Sequence, residues 1–407
     1  MEQNISPSPV KKRYAVLDAL RGFALLGICL ANFPEFSLWT FLSGEAQQAM
    51  PSAGTDYIVR WLQYIFVDGK FYTLFSLLFG IGFSIILNNA AQKGADGLRI
   101  FYRRMLILLG IGFLHLMLLW SGDILMLYAA MGLLLPCFRK LSDRSLLRWA
   151  ALFLALPVLV DFICGLAGVT LSAPFTRAQW HFCGLYGITE DNFAVWLKEV
   201  GNYGDVLRFL VQGAFERMYE FVDSHRYFKV LGLFLIGFCA GRKGIYKDPE
   251  KYRPLLRKVL ASGAAAGLPL SLVYAWDAMH GQPFGRAAHS LIYMLSVYPA
   301  GLAYAAAFCL LFLRSSGSSV WKWLAAPGRM ACSNYIGQSL IGVFVFYGIG
   351  LGYGTGVGLA GTELIAVGAY LFQMIFSMFW MKRFSFGPVE WIWRSLTYGR
   401  VLPLRKK

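Results

Sequence analysis

Met105–Phe138 reads MLILLGIGFLHLMLLWSGDILMLYAAMGLLLPCF, two apolar runs hinged on Ser121-Gly122. Each run approaches the ~20 residues that an α-helix needs to cross a ~30 Å hydrocarbon core. The hinge leaves almost no loop, so the stretch predicts a tight antiparallel helical hairpin inside a membrane. Two of its side chains, His115 and Asp123, flank that hinge.

The rest of the chain has the same character. Of 407 residues, 57% are hydrophobic and 15% charged, with a mean hydropathy of +0.53. Ordinary soluble domains carry roughly 25% charged residues, so too little polar surface is available here to wrap a soluble core. The aromatic content of 16% excludes a disordered chain. Seven Cys sit mostly in apolar runs without metal-ligand or redox spacing, so neither a disulfide scaffold nor a metal site is expected. A net charge of +16 could suggest nucleic-acid binding. The Lys and Arg fall between hydrophobic stretches instead of forming a basic face, which makes the charge a topology signal.

Apolar runs at about 15–33, 62–87, 105–120, 123–138, 149–171, 227–241, 259–276, 288–313, 333–351 and 362–381 predict an all-α polytopic bundle of about ten spans. The first run lacks a small-x-small exit and continues into further spans, so it reads as a retained helix. With the N-terminus inside, 28 Lys and Arg fall in inner segments and six in outer ones, which predicts N-in and C-in. The chain then forms one transmembrane domain, 1–407. Residues 172–226 are an outer-side loop carrying interfacial helices, and 384–399 an amphipathic helix on the cytoplasmic side. The alternating glycines at 348–358 read as an outer turn.

Ionisable groups inside spans are costly and therefore functional candidates. Asp18 and Arg21, three apart on the first helix, share one face as an ion pair or a ligand contact. Asn32 lies near the outer end of the same helix, and Lys70 interrupts the second span. Asn334 and Gln338, four apart, either bind a ligand or join helices. In the hairpin, Asp123 could orient the His115 imidazole in the tautomer that takes a proton from a hydroxyl or amine. The structural alternative is a His satisfied by a neighbouring carbonyl and an Asp capping a helix.

The motifs Leu17-Asp18-Ala19-Leu20-Arg21-Gly22 with Asn32, Phe75 to Gly80, His115 to Asp123 with Tyr128, Gly328 to Ser339 and Gly387 to Tyr398 resemble those of the domain-of-unknown-function-418, or YeiB-like, bacterial membrane proteins. The first-helix pattern is also similar to that of heparan-glucosaminide N-acetyltransferases and, more loosely, of acyltransferase-3 O-acetylases. The resemblance implies a multi-pass acyltransferase of the bacterial inner membrane. Its partners are then membrane lipids, acyl-CoA (suspected acetyl-CoA) and an unidentified extracytoplasmic acceptor, with a homo-oligomer left open. Read from the residues themselves, not from the resemblance, His115 and Asp123 are catalytic in such an enzyme, whereas Asp18, Arg21, Asn32, Lys70, Asn334 and Gln338 contact substrate. Arg103, Arg104 and Arg329 then face the nucleotide phosphates. The contrasting reading is a transporter or flippase of a small anionic or lipid-linked substrate, in which Asp18, Arg21, Lys70 and His115 relay protons or anions.

Overall fold

The computed structural model describes residues 14–406. Lys11, Lys12 and Arg13 of the inner N-terminal cluster and Lys407 of the tail lie outside the described residues. The architecture is all-helical, and no strand occurs among the described residues. The chain runs through α1 (Ala15–Phe36), α2 (Gly44–Gln48), α3 (Ala53–Leu62), α4 (Lys70–Ala91), α5 (Gly97–Leu118) and α6 (Leu125–Leu134). It continues through α7 (Asp143–Ala167), α8 (Ala173–Tyr186), α9 (Glu190–Glu199), α10 (Tyr203–Asp223), α11 (Arg226–Lys243) and α12 (Arg253–Met279). Then follow α13 (Arg286–Arg314), α14 (Val320–Arg329), α15 (Ala331–Phe346), α16 (Leu359–Arg383) and α17 (Pro388–Tyr398).

Each of the ten apolar runs is mostly helical, the second being broken at 68–69. Among the described residues, seven stretches are long and apolar enough to cross a membrane: α1, α3–α4, α5, α7, α12, α13 and α16. The chain is therefore a membrane protein. The other three runs fall short for physical reasons: α6 and α15 are shorter apolar helices, and α11 carries Arg226, Lys229, Arg242 and Lys243 in 18 residues. Large apolar side chains point outward, among them Phe113 and Leu114 on α5, Phe162 and Leu166 on α7 and Phe372 and Phe379 on α16. A water-facing surface would hide such groups, whereas a lipid-facing one requires them.

Local chemistry sets the helix ends. Asp96 caps α5 through the Leu98 and Arg99 amides at 2.9 and 3.1 Å, and Ser142 caps α7. Gly69, at φ 71°, separates α4 from the turn before it, so the interruption expected at Lys70 is present. The glycine tract forms the turn between α15 and α16.

Two ends of the bundle differ. One, the hairpin end, holds the 119–124 turn and is covered by α8, α9 and α10. The other, the basic end, holds Arg103, Arg104 and Arg242, and α17 folds back there, with Trp393 Nε1 donating to the Arg104 carbonyl at 2.9 Å. Near that end α1 and α14 cross almost backbone to backbone. A Cβ at Gly328 would lie 1.8 Å from the Asp18 carbonyl oxygen, and one at Gly22 would lie 1.8 Å from that of Leu324. Without a hydrophobic drive between helices in lipid, such close approach of small residues is a main source of helix association.

Candidate functional site

The hairpin predicted from Met105–Phe138 is present, with a longer turn than expected. Helix α5 ends at Leu118 and α6 begins at Leu125, because the Leu119 and Trp120 amides both donate to the His115 carbonyl at 3.0 Å and close the helix there. One turn before His115, Gly112 allows the start of α6 to press against α5. A Cβ at Gly112 would lie 2.6 Å from the Met126 amide and 3.1 Å from Asp123 Oδ2. That approach places Asp123 on the imidazole.

His115 Nδ1 and Asp123 Oδ1 are 2.9 Å apart, with relative exposures of 4% and 1%. The carboxylate can only accept, so Nδ1 carries the proton and Nε2 is left as an acceptor. Ser339 Oγ on α15 sits 2.9 Å from Nε2 and, with the imidazole neutral, is the donor to it. The other carboxylate oxygen accepts the Met126 amide at 2.8 Å, so Asp123 orients the ring and caps a helix together. A hydroxyl, an imidazole and a carboxylate in series form the arrangement in which a base is poised and its tautomer fixed. Neither His115 nor Asp123 lines either of the two cavities described next. Tyr335 stands in front of them, its ring centroid 5.2 Å from that of His115.

Two cavities meet at this point. The first, of about 270 Å³, is mostly apolar. It extends from Arg21, Arg104, Glu390 and Arg394 at the basic end, past Phe79 and Leu108, to Ile124 and Tyr335. The second, of about 340 Å³ at the hairpin end, is lined by polar groups including Asn32, Glu35, Asp68, Asp161, Arg217 and Lys229. Ile28, Ile124 and Tyr335 line both. Those three side chains are the shared wall, and the His115 array lies one side chain behind it.

The remaining residues singled out in the sequence separate into those the cavities gather and those they leave aside. Arg21 lines the first cavity and is held by Asp18 Oδ1 at 2.8 Å in a partly exposed pair. Asn32 lines the second. Lys70 lines neither: its fully buried Nζ donates to the Tyr64 carbonyl at 2.6 Å, which satisfies it inside the bundle. Asn334 and Gln338 turn toward α16, where they meet Ser377 at 2.9 Å and Gln373 at 3.3 Å. Their amides join helices. Of the three arginines expected at phosphates, Arg104 lines the first cavity and Arg103 does not, since one residue rotates a helix by about 100°. Arg329 is also outside that lining, and its neighbour Gly328 takes the position.

Several participants were not singled out in the sequence. Ser339 closes the quoted Gly328–Ser339 motif, but only the fold brings α15 to α5. Glu390 accepts the Cys332 and Ser333 amides at 2.7 and 3.2 Å and so caps α15 from α17. Arg217 of α10 donates to the Ser121 carbonyl at 2.8 Å and to Glu35 at 3.0 Å, and also pairs with Glu220. It thereby locks the covering helices onto the hairpin turn. An arginine and carboxylates interleaved on an otherwise amphipathic helix were the available signal.

Beside Arg217, burial first, then the Glu220 and Glu35 carboxylates, pushes the Glu216 carboxyl up to about 8 from 4.5. A carboxyl whose folded value exceeds its unfolded one binds more protons folded than unfolded between those values, so stability falls as pH rises from about 4.5 to about 8. Glu216→Gln is expected to remove that decline, on the order of a few kcal/mol, and to flatten melting temperature against pH across this range. An unchanged slope in the variant would assign the decline to another group.

Comparison with known proteins agrees with the sequence motifs. Residues 240–400 match the family described as "Protein of unknown function (DUF418)". The chain is thus similar to the DUF418, YeiB-like proteins. It is 29% identical to "Uncharacterized protein YxaH" of Bacillus subtilis (strain 168) over 99% of both chains. It is 28% identical to "Uncharacterized protein YeiB" of Escherichia coli (strain K12) over 97% of this chain and 99% of that one. A Bacillus acidopullulyticus relative, "Uncharacterized 39.9 kDa protein in amylase 3'region", is 27% identical over 99% of both. None of these names carries an activity.

Proposed function

We propose that this chain is a transmembrane acyltransferase that moves an acyl group, acetyl in the simplest case, from cytosolic acyl-CoA to an acceptor on the outer side of a bacterial inner membrane. The observation that supports it is the pair of cavities meeting at Ile28, Ile124 and Tyr335 with a polarised His directly behind. In this reading the basic end is cytosolic, as the distribution of Lys and Arg predicts. The apolar cavity receives the acyl-pantetheine arm, and Arg21, Arg104 and Arg394 stand at its mouth for the phosphates. The polar cavity receives the acceptor.

The reaction then takes place at the shared wall. The acceptor hydroxyl or amine attacks the thioester carbonyl carbon while its proton passes to His115 Nε2. The carbon–sulfur bond breaks, and the departing CoA sulfur takes that proton from the imidazolium. Asp123 stabilises the transient positive charge. Nε2 is engaged by Ser339 in the free protein, so substrate entry must displace or rotate that hydroxyl, together with Tyr335. Catalytic contacts commonly form fully only once substrate is bound.

The test is release of free CoA thiol from acetyl-CoA by purified protein in lipid nanodiscs, with water as slow acceptor. Arg104→Ala should raise the KM for acetyl-CoA by roughly 10- to 100-fold, the loss of a charge-assisted contact of about 1.5–3 kcal/mol, and leave kcat nearly unchanged. No thiol release and no acetyl-CoA binding by the parent would overturn the proposal.

A further inference from the structure

The hairpin-end cavity contains two cations that have no carboxylate in contact. Arg226 and Lys229 are three residues apart at the start of α11 and both line it. Among the described residues, neither side chain makes a hydrogen bond or an ion pair; the Lys229 amide only continues the helix into the His225 carbonyl. Lys229 is only 8% exposed, and its Nζ lies 3.8 Å from the Tyr293 ring centroid. Tyr72 lines the same cavity, and its buried hydroxyl has no partner among the described residues. Burying an ammonium without an acceptor is costly, and a fold that merely needed a helix here would place an apolar residue.

The other groups around these cations define the second half of a ligand. Asp68 and Asp161 also line the cavity. Each is engaged by side-chain donors: Asp68 by the Tyr274 hydroxyl, and Asp161 by His225 Nε2 at 2.9 Å and by the Ser290 hydroxyl. A carboxylate so held has lone pairs left to accept from ligand hydroxyls. The edge-to-face rings of Tyr274 and Tyr293, 5.5 Å apart, add an aromatic wall. Cations out of reach of the carboxylates, with a cavity between them, form a site for a molecule that carries both an anion and hydroxyls.

We propose that this cavity binds a phosphorylated polyol, with its phosphate between Arg226 and Lys229 and its hydroxyls toward Asp68 and Asp161. A phosphate has enough terminal oxygens to serve a guanidinium and an ammonium together, whereas a single carboxylate satisfies one of them well. The inference rests on the acyl-transfer reading only in calling this ligand the acceptor. The same chemistry belongs to a soluble polyol phosphate and to a glycerophosphate lipid headgroup.

The experiment is calorimetric titration of the purified full chain with sn-glycerol 1-phosphate, with glycerol as the uncharged control and acetyl-CoA absent. A parallel arm measures by native mass spectrometry the retention of phosphatidylglycerol against phosphatidylcholine from mixed nanodiscs. Binding of glycerol phosphate but not glycerol, weakened at least about tenfold by Lys229→Met and by Arg226→Gln, is the expected result for a soluble ligand. Selective retention of phosphatidylglycerol, lost in both variants, supports a lipid headgroup as source. Arg226, partly exposed, is the informative site where Lys229→Met does not fold. Binding of neither ligand by the parent, or binding that both substitutions leave unchanged, overturns the proposal. Charge-dependent binding without acetyl-CoA turnover would remove the acyl-transfer reading and retain the ligand class.

Discussion

Under the proposed acyl transfer, replacing His115 with Gln is expected to yield a protein that assembles normally, binds acetyl-CoA as the parent would, and transfers acyl groups at least about a hundredfold more slowly. The size of the loss follows from what the substitution removes. Glutamine is close to histidine in volume, and its amide can still donate to Asp123 or accept from Ser339, so the 2.9 Å contacts on either side have substitutes. It has no nitrogen that takes a proton near neutral pH and releases it again. A general base contributes roughly 100- to 10,000-fold, while a structural His contributes to stability alone. Acetyl-CoA binding survives because its phosphates would be held at the basic end by Arg21, Arg104 and Arg394, remote from the hinge. Ser339→Ala, which leaves the base and its carboxylate in place, is expected to cost less than His115→Gln. An equal loss in the two variants would instead make Ser339 the acyl-carrying nucleophile. Undiminished transfer by His115→Gln would move the chemistry elsewhere, and loss of folding would assign the imidazole to structure.

The membrane fold was legible because its cause is local. Each apolar run is continuous in sequence, and the hinge at Ser121-Gly122 joins neighbours that must be antiparallel. The contact between His115 and Asp123 was legible for the same reason: eight residues separate them, and a hairpin leaves little freedom in how far apart they end. Ser339 lies 224 residues from His115, so no local pattern could announce it. Lys70, Asn334 and Gln338 show the opposite limit. Sequence identifies a polar group inside a span, but the rotation of its helix decides whether it meets a cavity or a neighbouring helix. Lys70 turned to a carbonyl, and the two amides turned to α16. Burial of Lys70 also weakens the relay reading, because a proton or anion path needs its ionisable groups on the cavity wall. Nothing local in the sequence sets Arg226 and Lys229 apart, and their joint position on one cavity emerges only when α11 packs against α4.

Gly328→Ala is expected to eliminate most correctly assembled protein, although it adds one methyl group. Overpacking a core usually costs about 1–3 kcal/mol because side chains can shift by rotation. Here the atom met first is the Asp18 carbonyl oxygen, 1.8 Å from the new carbon. Backbone cannot rotate away, so α14 must separate from α1 by well over 1 Å, and Gly22 shows the same contact in return at the Leu324 carbonyl. The neighbourhood multiplies the damage: Arg21 precedes Gly22, Gly328 itself lines the apolar cavity, and the Tyr370 hydroxyl donates to the Gly22 carbonyl at 2.8 Å. A displaced α14 therefore disturbs the mouth where the nucleotide would enter, and any surviving protein should bind acetyl-CoA poorly. Gly110→Ala is the matched control. It lies on the exposed face of α5 with open space around its would-be Cβ, and alanine's better helix propensity there should be neutral or stabilising by up to about 1 kcal/mol. Yield of monodisperse protein and melting temperature in one detergent measure both variants, and a Gly328→Ala protein as stable as Gly110→Ala would show that α1 and α14 do not need this close crossing.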